Sequence, residues 1–307
     1  MKLRYLWSGA SALILFAAVP AMADCEIRNL RLVGDAAQVR YDPFAREETT
    51  RPIRVQADVS RECVGGLVEL AVFPEPDSQG SGAELVARQG TGTINVALAS
   101  RGREVRVAAL ESRAFDGDIG PTQRIETGGL ITLDGYEIYA PSGQVVGPGR
   151  YVARARLLAR VRKGGDTFEG GRTDFRINVD VDPSYRLAAG AGDRVLALGE
   201  IAPGVESTPS SFSAYANVGY ELVFTSENHW RLARDGRAGA ESGGVPYTLR
   251  ASGTDVERSA GRSGLTFQSA AGDGRRRHEL VAVVNPYERA AAGRYSDVVT
   301  VEIRPKS

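Results

Sequence analysis

Along most of the chain, apolar residues fall on every second position. Ile53-Arg54-Val55-Gln56-Ala57-Asp58-Val59 alternates apolar and polar side chains, as do Tyr151–Leu157 and Phe175–Val181. A period of two places one set of side chains on each face of an extended strand, whereas helical spacing of three and four is scarce here. In the second half, Tyr220–Phe224, Leu280–Val284 and Val298–Ile303 are β-branched or aromatic runs of strand length. Turn signals separate these runs: Asp116-Gly117, Asp134-Gly135, Asp235-Gly236 and Asp273-Gly274, with Pro148-Gly149 and Pro203-Gly204. The charged runs Arg46–Thr50 and Arg275–Arg277 read as solvated turns. Many short strands with regular turns predict an all-β chain built of immunoglobulin-like sandwiches.

The pattern repeats. Gly149-Arg150-Tyr151 opens one alternating strand, and Gly293-Arg294-Tyr295 opens another. Upstream of these lie Glu137-Ile138-Tyr139-Ala140-Pro141 and Ala282-Val283-Val284-Asn285-Pro286. Earlier still, Pro52–Ala57 matches Pro209–Ala214, and Val68–Phe73 matches Tyr220–Phe224. Matches in the same order predict two copies of one sandwich. The first spans residues 24–182, a Pro-, Ala- and Gly-rich linker spans 183–192, and the second spans 193–307. The copies end differently. After the Gly-Arg-Tyr strand the first continues into Thr173–Val181, while the second runs into Arg304-Pro305-Lys306-Ser307. The second is therefore expected to lack its last strand, leaving an open edge that invites a strand from another chain.

The start of the chain changes the compartment. Lys2 and Arg4, an apolar stretch from Ala10 to Val19, then Pro20 and Ala21-Met22-Ala23 form a secretory leader, with residues 1–23 cleaved. The stretch is too short to span a bilayer comfortably, so a membrane anchor is the weaker reading. Losing Lys2 and Arg4 from the 38 basic and 38 acidic residues leaves a nearly neutral chain, which calls for neither nucleic acid nor an anionic membrane. Almost all positive charge is arginine; the lysines are Lys2, Lys163 and Lys306.

Cys25 and Cys63 are the only cysteines, and export places them in an oxidising compartment where a bridge is the default. Such a bridge contributes about 3–4 kcal/mol in the chain-entropy model. The alternatives, two free thiols or half a metal site, lack support.

Candidate chemistry is sparse. His229 and His278 are the only histidines, and both read as ordinary turn or surface residues. No Gly-x-Ser-x-Gly elbow, His-Glu-x-x-His pair or phosphate-binding loop occurs, so an enzyme is not expected, nor a cofactor. Asp116-Gly117-Asp118 resembles the start of a calcium loop without its later acidic ligands. Asp180 and Asp182 form another acidic pair, and Trp230 reads as a core residue. Segments 74–92 and 111–129 are long enough to carry a binding finger.

Ala291–Ile303 resembles the closing strand of spore coat protein U-type subunits of archaic chaperone–usher pili, and Ala216–Asn228 is similar to the second-strand region of that family. Cys25, Tyr41-Asp42-Pro43-Phe44 and Cys63 resemble its early disulfide and a Tyr-Asp-Pro-Phe-like turn. The resemblance implies incomplete immunoglobulin-like sandwiches, held by a periplasmic chaperone, passed to an outer-membrane usher and completed by a neighbouring subunit's strand. It implies a groove edge at Tyr295, Val298, Val299, Val301 and Ile303. The second copy departs from the family in having no cysteine, and essentially no donor extension is expected ahead of Cys25. A complete first domain, an open second domain and no donor strand together fit a two-domain tip adhesin, displayed on the cell surface after transit through the periplasm. The first domain's ligand is unassigned. The alternative is a free-standing secreted or periplasmic binding module.

Overall fold

The computed structural model describes residues 24–33, 37–75, 85–100, 103–104, 115, 122–188, 194–234, 244–256, 262–267 and 274–306. The leader at 1–23, the signals Asp116-Gly117-Asp118 and Asp235-Gly236, Asp273, and most of 74–84 and 111–121 lie outside the described residues. In chain order the strands are β1 Ile27–Val33, β2 Gln38–Tyr41, β3 Thr49–Val59, β4 Leu67–Pro74, β5 Leu85–Gln89, β6 Gly92–Ser100 and β7 Arg103–Glu104. Then come β8 Thr122–Arg124, β9 Gly129–Ala140, β10 Gly149–Lys163, β11 Asp166–Val181, β12 Tyr185–Leu187, β13 Ser210–Ala216 and β14 Tyr220–Ser226. The last are β15 Arg231–Arg234, β16 Val245–Ala251, β17 Thr254–Asp255, β18 Arg262–Phe267, β19 Arg275–Val284, β20 Tyr295–Ser296 and β21 Val299–Pro305. The described residues are all-β, apart from a short 3-10 turn at Arg61–Cys63.

Alternation sets the burial. Ile53, Val55, Ala57 and Val59 of β3 are buried, as are the odd-numbered side chains of β10 from Tyr151 to Val161. In the first half β1, β3, β9 and β6 run side by side, while β10 lies between β11 and β4, and β2 pairs in parallel with β11. Successive strands β3 and β4 thus pair in different places, β3 with β9 and β4 with β10, as in immunoglobulin-like sandwiches. Their inward side chains form one core between Cys25 and Val181. A second core gathers Phe212, Tyr220, Phe224, Trp230, Tyr247 and their neighbours.

The second half repeats the pairing: β13 with β19, and β14 with β21. Register is kept as well. Ala155 faces Pro74 and Val161 faces Val68, while Val299 faces Ser226 and Pro305 faces Tyr220. The two strand pairs therefore share one register.

Three sequence expectations are corrected. Asp134-Gly135 is not a turn but a bulge within β9, where pairing steps from Ile53–Tyr136 to Val55–Leu133 and Gly135 takes φ 82°. Ladder pairing with β3 on both sides outweighs the local turn preference, and glycine accepts the positive φ. Arg275–Arg277 is not a solvated turn; it pairs with Tyr215, Ala214 and Ser213 as the start of β19. The Arg275 and Arg277 side chains stay exposed and donate to the Ser213 and Ser211 hydroxyls, so a strand costs them no desolvation. Within the stretch expected as linker, Tyr185–Leu187 forms β12 and pairs with Ala214–Ala216, and Leu187 packs on the second core.

Candidate functional site

The edge strand β21 is the feature that separates the two halves. β10 is paired on both sides, by β4 and by β11. Its counterpart β21 is the outer member of a three-stranded sheet, β18-β14-β21, and among the described residues no strand is hydrogen-bonded to its other edge. Ala155, Leu157 and Ala159 of β10 are 2, 1 and 2 % exposed. Their register equivalents Val299, Val301 and Ile303 pack against the second core yet stay only half-buried. Leu196, Leu198, Ile201 and Val205, from the segment ahead of β13, are in the same condition. Val299, Val301 and Ile303 thus form an apolar row, partly wet, along an unpaired backbone edge.

The five residues expected at this edge do not share one orientation. Val299, Val301 and Ile303 turn inward, and Thr300 and Glu302 outward. Val298 lies between β20 and β21 and is 53 % exposed, so it does not face the core. Tyr295 lies in β20, opposite Arg234 of β15, half-buried, with its hydroxyl donating to the Ala291 carbonyl at 2.7 Å. Between them sits Asp297, which the sequence reading assigned no role. Its Oδ2 accepts from the Ser226 and Tyr247 hydroxyls, both at 2.5 Å, and its Oδ1 accepts from the Asn228 and Val298 backbone N–H groups at 3.0 and 2.8 Å. One carboxylate thus fixes the bend at which the closing strand passes from β20 to β21.

His229 stands in an exposed turn with φ 52°, in line with expectation. His278 contradicts it. This residue is fully buried, its Nε2 2.7 Å from the Tyr220 hydroxyl and its Nδ1 3.1 Å from the Ser252 hydroxyl. Burial, helped by the Arg276 charge, pushes its pKa down to about 4, and burial pushes Tyr220 up to about 12. The alternation of β19 carried the signal: His278 shares its parity with the inward Ala282 and Val284. Trp230 is a core residue, 3 % exposed, edge-on to Tyr247, and its buried indole N–H has no hydrogen-bond partner among the described residues.

Cys25 and Cys63 are disulfide-bonded, tying the entry to β1 to the turn after β3. The Tyr41–Phe44 turn is built by its own polar groups. Asp42 Oδ1 accepts from the Phe44 N–H at 2.9 Å, and the Tyr41 hydroxyl donates to the Pro141 carbonyl at 2.9 Å. Phe44 then meets the second half: its ring is edge-on to Tyr215 at 5.8 Å, and Arg186 donates to its carbonyl at 2.6 Å while stacking near both rings. Asp180 and Asp182 are ion-pair members. Asp180 takes Arg150 and Gln38, which hold its carboxyl below the usual carboxylate range, and Asp182 takes Arg40. Among the described residues no three His, Cys, Asp or Glu side chains are grouped so as to hold a metal ion.

No family model matches the sequence, and no curated protein matches it. Among solved structures, the chain is similar to the chaperone–tip adhesion subunit pre-assembly complex from the archaic chaperone–usher Csu pili of Acinetobacter baumannii. That similarity has 15% identity and a TM-score of 0.41, over 91% of this chain and 99% of the other. It is similar also to the CupB6 tip adhesin of Pseudomonas aeruginosa, with 10% identity and a TM-score of 0.37 over 91% and 92% of the two chains. A third likeness is to the CssB subunit complemented with a donor strand from CssA, of enterotoxigenic Escherichia coli, with 12% identity and a TM-score of 0.30. It covers 50% of this chain and 97% of that one.

Proposed function

We propose that this protein is a non-enzymatic subunit of an archaic chaperone–usher pilus of the spore coat protein U type, placed at the pilus tip and assembled by donor-strand complementation. The observation that supports it is the contrast between β10, sealed by β11 from its own chain, and β21, with a free edge and half-exposed Val299, Val301 and Ile303. An unpaired ladder edge costs about 1–3 kcal/mol for each buried group left without a partner, against a domain stability of about 5–15 kcal/mol. A strand added along β21 would pair those groups and cover the apolar row. In this reading a periplasmic chaperone supplies that strand first, at the usher a neighbouring subunit replaces it, and the protein reaches the cell surface. The first domain, residues 24–182, is then the adhesive one, joined by the stretch 183–192 to the pilin-type domain 193–307. The groove edge is Val299, Val301 and Ile303, flanked by Tyr295, while Val298 faces solvent beside it.

The test is to produce residues 183–307 alone and with an alternating apolar donor peptide fused through a flexible linker after Ser307. The fusion is expected to be monomeric and to unfold cooperatively, and the unfused segment to aggregate or melt well below it. A segment equally stable without the peptide would favour the free-standing secreted module.

A further inference from the structure

A Pro-, Ala- and Gly-rich stretch follows the first domain, and tandem domains move relative to one another unless their interface holds them. The free chain between the two halves is much shorter than that stretch. β11 ends at Val181 and β12 begins at Tyr185, so only Asp182-Pro183-Ser184 pass from the ladder of the first half to that of the second. All of them are restrained. The Pro183 ring fixes its own φ and narrows the backbone choices of Asp182 before it. The Asp182 carboxylate pairs with Arg40 of β2 at 3.0 Å. Asn217, buried in the turn between β13 and β14, holds the backbone: its Nδ2 donates to the Asp182 carbonyl at 3.0 Å, and its Oδ1 accepts from the Ser184 N–H at 2.7 Å. The Asn217 N–H also donates to the Ser184 carbonyl at 3.0 Å.

A side-chain clamp stands beside this connector. Phe44 of the first half is 6 % exposed, yet among the described residues it belongs to neither core. Its ring meets the second half instead, edge-on to Tyr215, with the Arg186 guanidinium 5.7 Å from the Phe44 ring and 5.6 Å from the Tyr215 ring. Gly274, at φ 64°, comes so near that a Cβ there would lie 2.9 Å from the Phe44 ring and 2.6 Å from Val145. We propose that connector and clamp lock the two domains into one rigid body, a fixed joint that sets the first domain's orientation to the β21 edge and carries load between them. The turn that supplies Asn217 also reaches that edge, because Lys306, directly after β21, donates its N–H to the Gly219 carbonyl at 3.0 Å. The lock itself does not depend on how the β21 edge is filled.

The experiment measures amide nitrogen relaxation by NMR on the full mature chain carrying the donor peptide after Ser307, so that the second domain is folded whether or not its edge needs filling. The wild-type joint is expected to give amides of both domains one rotational correlation time, that of the whole chain. Phe44→Ala combined with Pro183→Gly removes the ring and frees the connector. That variant is expected to show separate, shorter correlation times, each that of a single domain, with the amide shifts of both cores retained. Arg186→Ser changes an exposed side chain that is part of neither core, so it tests the clamp without risk to either fold; it is expected to shorten the correlation times in part. Separate correlation times for the two domains of the wild type would overturn the proposal. So would one undivided whole-chain time in Arg186→Ser and in the double variant alike.

Discussion

At the scale of single residues, burial decides what His278 does. Its ring lies against Phe212, centroids 5.3 Å apart, and hydrogen bonds to Tyr220 and Ser252 occupy both nitrogens. Charging it would place a cation beside Arg276 in a core with no carboxylate among these partners, so the folded pKa falls to about 4 from an ordinary 6.5. The unfolded chain therefore binds the proton first as pH drops. The stability tied to the neutral ring is complete above pH 6.5, and about 3 kcal/mol of it is lost by pH 4. Urea unfolding between pH 7 and 4 should show that slope in the transition reporting the second core, and His278→Gln should flatten it. A slope unchanged in the variant would assign the loss to other groups. The sequence reading grouped His278 with His229, because the arginine run ahead of it looked like a turn; only pairing with β13 shows that the strand begins at Arg275.

At the scale of elements, the closing strand of the second half is where the sequence pattern and the structure part company. Alternation from Tyr295 to Ile303 reads as one strand, but pairing passes from β15 to β14 at Asp297. The carboxylate there competes with the ladder for backbone N–H groups, taking those of Asn228 and Val298, and leaves Val298 outside. Asp297→Ala would remove the carboxylate that accepts from the Tyr247 and Ser226 hydroxyls and release the bend. We expect a loss of about 2–3 kcal/mol in urea denaturation of the donor-peptide fusion. A change below about 0.5 kcal/mol would mean that surrounding packing alone holds the bend.

At the scale of the whole molecule, the first half holds what a closed sandwich needs: its own last strand, its own core and the Cys25–Cys63 bridge. Residues 24–182 produced alone should therefore be soluble and unfold in one cooperative step, despite losing the Phe44–Tyr215–Arg186 contact with the second half. Circular dichroism melts of the fragment check this; an insoluble fragment without a transition would show that the contact is needed for folding. That joint was invisible in the sequence. Phe44 was legible as part of a turn, but nothing in a linear pattern ties it to Arg186 and Tyr215.

What the sequence determined by itself was what depends on neighbours along the chain. Strand periodicity, the repeated Gly-Arg-Tyr motif and the asymmetry after it were readable because side-chain alternation and turn preference are local. The bulge at Gly135, the burial of His278, the hub at Asp297 and the pairing of β12 from Tyr185 onward were decided only in three dimensions. Each depends on which residue of a distant strand stands opposite, and that register is set by packing whole cores, where burial and ladder hydrogen bonds outweigh the preference of any short segment.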